Sequence, residues 1–419
     1  MIIDTVAVLN YRCLRSVRQK LRSFQILIGP NASGKSTFLD VFVFLQDLLR
    51  EDLSRAVQKR ARSLRELVWG MKSDQFEVVV ELLLPENLRG LLKDYTHIRY
   101  EVRIGTDSKG GLTLLVENVW LLRKNAGLGN GCGSGPGNFS TGDVSASSSL
   151  VLEPKKRTPS GYRKVMSRMA DGRVYVRSET TQWNFPLHVS KDRAGLMLIP
   201  ETEERFPASV WLRRTLTEEL HFLMLNSLAM RWPCRPDAPR TFQPDGSNLP
   251  ILIEALKEEP SRFEHWVDHI RTVFPWVKSI KVKERQEDRY RYVVLETQDE
   301  KELPSWLLSD GTLRLFALTL LAYLSSNMGI YLIEEPENGV HPRALEAIYQ
   351  SLSSIYGGQV FCATHSPILL NIAQPHELLC FSVAENGCTR VVAGDKHPRL
   401  KEGLREVALG DLLASGVLG

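Results

Sequence analysis

The sequence lacks the features of secreted, membrane-spanning and metal-cluster proteins. Its six cysteines stand at positions 13, 132, 234, 362, 380 and 388, and no two of them have the spacing of a zinc or redox site. We therefore expect free thiols in a reducing compartment. The longest nearly continuous apolar run, residues 313–324, is too short to span a bilayer. The first four residues do not open a signal peptide, so we expect a cytoplasmic protein.

A strong charge bias is also missing. The 53 Lys and Arg residues nearly balance the 49 Asp and Glu residues, and the net charge of +4 neither requires nor excludes a nucleic-acid partner. The 43% hydrophobic and 24% charged fractions are those of an ordinary globular protein. A chain of 419 residues has room for two or three domains, and no internal repeat is evident.

Apolar patterning predicts an α/β fold. Short β-branched runs alternate with segments of helical period, and each change is marked by glycine, proline or polar residues. The predicted strands are 2–9, 24–28, 75–84, 97–104, 112–122, 329–333 and 359–363, with a hairpin at 279–297. The predicted helices are 35–49 and 343–355, with a helical pattern from 208 to 273 and another after residue 309.

A glycine-rich segment follows the second predicted strand. Residues 29–36 match the phosphate-binding pattern G-x-x-x-x-G-K-[ST], with an apolar strand before it and an amphipathic helix after it. Loop amides and the helix N-terminus would hold phosphate oxygens. Lys35 would reach the β- and γ-phosphates, and the Ser36 hydroxyl would bind Mg²⁺. The alternative is a glycine-rich turn that contains a lysine by chance. The predicted cofactors are ATP and Mg²⁺, and the predicted nucleotide-binding residues are Gly29, Pro30, Asn31, Ala32, Ser33, Gly34, Lys35, Ser36 and Thr37.

Two later strands end in groups that suit phosphate chemistry. The strand at 329–333 runs into Glu334 and Glu335, and two carboxylates at a strand end are costly unless a cation or a proton transfer offsets them. We expect Glu334 to hold Mg²⁺, directly or through water, and Glu335 to polarise the water that attacks the γ-phosphate. The strand at 359–363 leads to His365, which could donate to that phosphate. The alternatives are acids that merely end a strand and a packed or solvated histidine.

A polar loop opens the long apolar helix near residue 310. Ser309, Asp310 and Gly311 precede apolar residues at helical spacing. A serine or aspartate here is an ordinary N-cap, so one interpretation is a capped core helix. The other is a helix N-terminus that holds an anion.

Taken in order, the segments GPNASGKST, LLSDGTLR, YLIEEPENGVHP and ATHSP resemble the ABC-type ATPases of the RecF/SMC and OLD-like group. More closely, they resemble standalone prokaryotic AAA-family ATPases that lack a long coiled coil. LNYRCLRSV is similar to the N-terminal strand and turn that flank the nucleotide base in that group, and PDGSNLPILIEAL to its helical insertion. The resemblance implies a P-loop NTPase fold with an ABC-ATPase-like mixed sheet, flanking helices and a helical insertion lobe.

The resemblance also implies a role for the polar loop and an assembly. Ser309, Asp310 and Gly311 would cap the γ-phosphate of ATP bound to the opposite subunit, in a homodimer or higher even oligomer that parts after hydrolysis. Two residues depart from the group: Glu334 stands where aspartate is usual, and Ala32 replaces a common glycine. The glutamine that links Mg²⁺ to the middle lobe is not fixed by the pattern, and Gln75 is one candidate.

Composition and resemblance together divide the chain into six segments. They are an N-terminal part of the ATPase domain (1–122), a flexible Gly/Ser-rich loop (123–154), a β-rich insertion that continues the ATPase lobe (155–204), a helical insertion (205–276), a C-terminal part of the ATPase domain (277–390) and a C-terminal tail (391–419).

The implied function is an ATP-hydrolysing switch that acts on DNA or controls a partner nuclease, in DNA repair or phage defence. OLD-like relatives carry a Toprim nuclease after the ATPase. The residues after His365 lack the clustered acids of such a site, so a separate chain would supply any nuclease. Candidate DNA contacts, with a solvated basic face as the alternative, are Lys155, Lys156, Arg157, Arg163 and Lys164. Other interpretations are an ATP-dependent assembly scaffold or sensor with slow turnover, and a transporter subunit, which the long spacing from Ser36 to Ser309 disfavours.

Overall fold

The computed structural model describes residues 2–71, 73–124, 149–153, 157–324 and 329–398. No helix within those ranges is both long enough and apolar enough to cross a membrane. The strands are β1 (Ile3–Tyr11), β2 (Leu14–Lys20), β3 (Phe24–Ile28), β4 (Gln75–Leu83), β5 (Tyr95–Thr106), β6 (Leu112–Arg123), β7 (Tyr162–Met169), β8 (Arg173–Arg177), β9 (Asn184–His188), β10 (Leu220–Leu223), β11 (Val277–Glu284), β12 (Arg291–Thr297), β13 (Glu302–Pro304), β14 (Ile330–Glu334), β15 (Gln359–Ala363), β16 (Leu378–Val383) and β17 (Thr389–Ala393).

Helices cover and connect these strands. They are α1 (Lys35–Arg50), α2 (Leu53–Gln58), α3 (Leu64–Leu67), α4 (Glu86–Leu92), α5 (Pro207–Thr217), α6 (Ser227–Arg231), α7 (Leu249–Lys257), α8 (Pro260–Val273), α9 (Asp310–Leu320), α10 (Pro342–Ser353) and α11 (Pro367–Ile372). The combination confirms the predicted α/β class.

The strands form three sheets. An eight-stranded antiparallel sheet has the order β2-β1-β4-β5-β6-β7-β8-β9, and a three-stranded sheet contains β11, β12 and β13. The third sheet has the order β10-β14-β15-β3-β16-β17 and is parallel except for its last strand. Because β3, β14 and β15 are parallel neighbours, their carboxyl ends meet at one edge, where polar groups from distant parts of the chain can share a site.

Helix α1 lies in the main core between the eight-stranded sheet and the six-stranded sheet. Its apolar face is completely buried at Phe38 and Phe42, and the Phe42 ring stacks on Phe361 of β15 at 5.4 Å between centroids. A second core on the other face of the six-stranded sheet contains the apolar sides of α7, α8, α9 and α10. The six-stranded sheet is therefore packed on both of its faces.

The structure differs from the sequence-based prediction in several places, and strands such as β2 and β16 were not predicted. Residues 220–223 continue the apolar period of the preceding helix and were predicted to be helical, but they form β10, because this apolar run pairs with β14 at the sheet edge. Strand β17 extends to Ala393, past the predicted boundary at 390. Within the predicted flexible loop, residues 149–153 bind to the first sheet. Residues 125–148 and 154 of that loop, 155–156 of the predicted β-rich insertion and 399–419 of the predicted tail lie outside the described residues.

Candidate nucleotide-binding site

The glycine-rich loop lies at the carboxyl edge of the six-stranded sheet, between β3 and α1. Gly29 has φ of 148°, and a Cβ there would lie 2.2 Å from the Phe381 carbonyl oxygen. Gly34 has φ of 102°, and a Cβ there would lie 2.5 Å from Thr389 Oγ1. Both positions therefore need glycine for backbone angle and for space.

A pocket of about 360 Å³ opens above this loop. It collects the predicted loop residues and groups from two other strand ends, although those groups are some 300 residues apart in the chain. The lining residues are Cys13, Asn31, Ala32, Ser33, Gly34, Lys35, Ser36, Thr37, Glu334, Glu335, Ala363 and His365. Gly29 and Pro30 contribute the loop backbone below.

Lys35 is buried at the base of the pocket. Its ammonium group donates to the Gly29 carbonyl at 2.8 Å and to the Pro30 carbonyl at 2.9 Å. Burial lowers the pKa of Lys35, and the nearby carboxylates of Glu335 and Glu334 oppose that shift. A lysine with three donors that lies close to two acids can exchange its loop carbonyls for phosphate oxygens.

The two adjacent acids occupy different surroundings at the end of β14. Glu335 has φ of 48°, which is strained for a residue with a side chain, and its amide donates to the Ala363 carbonyl at 2.8 Å. Its carboxylate accepts from the Asn338 side chain. Glu335 and His365 both line the pocket.

Glu334 and Ser36 suit a magnesium ion. Glu334 Oε1 is buried and has no hydrogen-bond partner among the described residues. Magnesium prefers carboxylate, hydroxyl and phosphate oxygens and keeps few protein ligands. In keeping with that, no group of three or more His, Cys, Asp or Glu side chains in the described ranges could hold a metal alone. The two side chains therefore fit an ion that is also held by nucleotide phosphates.

One residue at this edge escaped the sequence reasoning. Glu337 Oε1 accepts from Thr364 Oγ1 at 2.7 Å and from the His365 amide at 2.8 Å. Its other oxygen is buried without a partner in the described part of the chain. The only sequence signal was a third acid in the segment IEEPEN, which lies beyond the strand end. Glu337 thus fixes the backbone from which the His365 side chain projects.

The predicted polar loop lies outside this chain's own pocket. Ser309 caps α9 by accepting from the Thr312 amide at 3.2 Å, and Ser309 and Asp310 are exposed. A Cβ on Gly311 would lie 2.4 Å from the Gly339 carbonyl oxygen, so the loop packs closely on the segment that follows the two acids. The N-terminal residues of this 11-residue helix do not line the pocket.

Comparison with known proteins agrees with this geometry. A family model described as "AAA ATPase domain" matches residues 1–94, and one described as "AAA domain, putative AbiEii toxin, Type IV TA system" matches residues 229–371. An SMC head bound to the C-winged helix domain of ScpA superposes with a TM-score of 0.52 at 12% identity, over 94% of this chain and 97% of that chain. Two segments of the chain, which together contain the phosphate-binding loop and both later strand ends, therefore match AAA-type family models, and the fold is that of an SMC head. The fold prediction is thereby confirmed.

Further SMC heads superpose less closely. The head domain with an extended coiled coil from Pyrococcus furiosus, bound to the C-terminal domain of ScpA, gives a TM-score of 0.49 at 11% identity, over 97% of this chain and 100% of that chain. The head domain from Thermotoga maritima gives 0.45 at 11% identity, over 94% and 99%. No curated protein matched the sequence.

The N-terminal turn and β17 together support the phosphate-binding loop. Thr389 Oγ1 donates to the Ser33 carbonyl at 2.9 Å, and the Thr389 amide donates to the Cys13 carbonyl at 3.0 Å. Cys13 itself lines the pocket. No sequence signal could reveal these contacts, because Ser33 and Thr389 are 356 residues apart.

Those predicted DNA-contact residues that the structure describes, and the candidate glutamine Gln75, do not line the pocket. Arg163 donates to the Ser178 carbonyl at 2.7 Å, and Lys164 lies 5.1 Å from the Trp120 ring, so both are partly engaged within the fold. Arg157 is exposed, and Lys155 and Lys156 lie outside the described residues. Gln75 is exposed at the start of β4 and does not line the pocket. The DNA contacts stay a prediction.

Proposed function

We propose that this ATPase binds ATP with Mg²⁺ above the phosphate-binding loop and hydrolyses it. The convergence of Lys35, Glu335 and His365 in one pocket carries the proposal. Lys35 and the loop amides bind the phosphates, Glu335 accepts a proton from the attacking water, and His365 donates to the γ-phosphate. Glu334 and Ser36 would hold Mg²⁺, which when bound supplies charge neutralisation at the β- and γ-phosphates.

We further propose that two copies close around two ATP molecules. Ser309 and Asp310 are exposed and do not line their own pocket, which supports a role at the nucleotide of a second copy. The positive end of α9 would face that nucleotide's γ-phosphate. Hydrolysis removes this phosphate and with it the contact that holds the two copies together.

The target of such a switch is proposed from family resemblance. We propose that it acts on DNA or controls a partner protein such as a nuclease, in the cytoplasm. A partner protein is supported by the SMC head that was crystallised bound to the C-winged helix domain of ScpA. The second candidate, an assembly scaffold or sensor with slow turnover, uses the same pocket and differs only in rate.

Steady-state hydrolysis by the Glu335→Gln variant tests the proposal. Loss of a general base typically reduces turnover about 10²–10⁴-fold, and we expect ATP binding to persist because Lys35 and the loop are intact. Glu264→Gln is a matched control, since Glu264 is an exposed acid on α8. Turnover by Glu335→Gln within a factor of about two of that of the control would refute the assigned base. A DNA-dependent change in wild-type turnover would support action on nucleic acid, and turnover that ignores linear duplex DNA would favour a protein regulator.

A further inference from the structure

The eight-stranded sheet has charged residues buried on the face away from the main core. Along β4, Phe76, Val78 and Val80 face that core, and Glu77 and Glu81 lie on the opposite face. Residues of β5 and β6 continue this second face. Its polar and aromatic residues, all at most 3% exposed, are Glu77, Glu81, Arg99, Glu101, Asn118 and Trp120. A sheet face of this composition normally contacts water, so something must cover it.

Part of the covering is a five-residue stretch of the chain itself, residues 149–153, and Tyr162 and Lys164 contact Trp120. The amides of the stretch are bound by carboxylates on the sheet. Glu77 Oε2 accepts from the Leu150 amide at 2.6 Å and from the Val151 amide at 3.1 Å. Glu101 Oε1 accepts from the Leu152 amide at 2.9 Å. Three successive N–H groups are therefore satisfied by side chains, with no strand pairing.

The carbonyl groups of the same stretch are bound by donors from neighbouring strands. Arg99 donates to the Leu150 carbonyl at 2.7 Å, and Asn118 Nδ2 donates to the Leu152 carbonyl at 2.8 Å. Arg99 is itself held by Glu101 at 2.7 Å. These side chains of the sheet hold one another in place, so they present donors and acceptors at fixed positions to an extended backbone.

Three side chains of the stretch, at alternating positions, also contact the sheet. Val151 is 3% exposed and packs in an apolar depression formed by Ala7, Val79 and Val116. Arg103 pairs with the Glu153 carboxylate at 2.7 Å. It also donates to the Ser149 hydroxyl at 2.6 Å, and that hydroxyl donates to Glu77 at 2.8 Å. The spacing i, i+2, i+4 is that of an extended peptide with one side toward the sheet.

We propose that this face is a recognition groove for an extended peptide with a hydroxyl, a β-branched aliphatic and an acidic residue at alternating positions. Residues 149–153 occupy the groove in cis, and a partner protein's segment of the same chemistry replaces them. Most of the contacts go to backbone groups that every peptide carries, and Val151 is the only fully buried apolar anchor. None of the groove residues lines the nucleotide pocket, so the proposal does not depend on ATP hydrolysis.

A tethered segment has an effective concentration of about millimolar or more, so it masks the groove in the wild-type chain. The test therefore uses the full-length Val151→Asp variant, which weakens the resident segment, and a fluorescein-labelled peptide of sequence SLVLE. Anisotropy should show at least about tenfold tighter binding to the variant than to the wild type. A peptide with aspartate at its central position should not bind, and a further Arg103→Ala change should abolish binding of SLVLE.

The proposal is overturned if a folded Val151→Asp chain, with wild-type ATP binding and a cooperative thermal unfolding transition, does not bind SLVLE or binds it no better than the wild type does. A second measurement covers a variant that does not fold. In the wild-type chain, millimolar SLVLE should accelerate amide exchange at Leu150, Val151 and Leu152 by displacing them, and a scrambled peptide should not. Unchanged exchange with SLVLE contradicts the proposal as well.

Discussion

Glu337 offers a direct test of how the His365 backbone is held. Its Oε1 accepts from Thr364 Oγ1 and from the His365 amide, and Thr364 is completely buried. Replacement by alanine leaves both donors without this acceptor, at about 1–3 kcal/mol each. Because 1.4 kcal/mol corresponds to a factor of ten in rate, loss of His365 placement worth about 1.4–2.8 kcal/mol would reduce kcat about 10–100-fold.

The glutamine variant is the matched control. Glu337→Gln keeps a carbonyl oxygen for both donors and removes only the charge, so we expect kcat within about threefold of wild type. Steady-state hydrolysis with separate kcat and KM, together with thermal unfolding, distinguishes the cases. A role limited to stability would lower the unfolding temperature of Glu337→Ala and leave kcat unchanged. Equal loss of kcat in the alanine and glutamine variants would also refute the positioning role, because it would implicate the charge rather than the hydrogen bonds.

Two further substitutions and one change of pH have defined outcomes. Gly34→Ala should lose ATP binding by isothermal calorimetry, because its Cβ would lie 2.5 Å from Thr389 Oγ1 at a φ of 102°. Gly311→Ala should retain ATP binding and lose ATP-dependent dimers in light scattering, because its Cβ would displace the Gly339 carbonyl. Burial lowers the pKa of His221 to about 4, so the neutral form is favoured in the folded chain. In the unfolded chain the pKa of this histidine is about 6.5, so the unfolded chain takes up the proton first as the pH falls. The free energy of unfolding should therefore decrease below about pH 6.5, by about 2 kcal/mol at pH 5.

The two glycine changes share one control. Gly90 lies in α4 with no atom within 4 Å of an added Cβ, so Gly90→Ala should bind ATP and dimerise as the wild type does. If Gly34→Ala binds ATP normally, the loop tolerates a side chain and the steric reasoning fails. If Gly311→Ala forms ATP-dependent dimers at the wild-type level, the loop at residues 309–311 is not part of the dimer interface. His221→Phe keeps a ring to stack on Tyr331 and should flatten the dependence of denaturant midpoint on pH, and an unchanged profile would exclude His221 as its source.

Sequence reasoning succeeded where structure is local and failed where it depends on distant contacts. The strand, glycine loop and helix around Lys35 follow from neighbouring residues, as do the strand ends at Glu334 and His365. Residues 220–223 were misassigned because an apolar run at helical spacing carries no information about the strand β14 beside it. Contacts such as those of Thr389 with the loop or of Glu77 with Val151 join residues far apart, and no periodicity reveals them.

The claim that two chains share each nucleotide is tested most directly by mixing two inactive variants. Lys35→Ala impairs the phosphate loop and leaves Ser309 intact, and Ser309→Arg does the reverse. If the helix N-terminus acts on the partner's ATP, half of the dimers in an equimolar mixture are mixed and each has one complete site, so turnover should recover to about one quarter of wild type. Turnover in the mixture no higher than the average of the two variants alone would contradict a shared site.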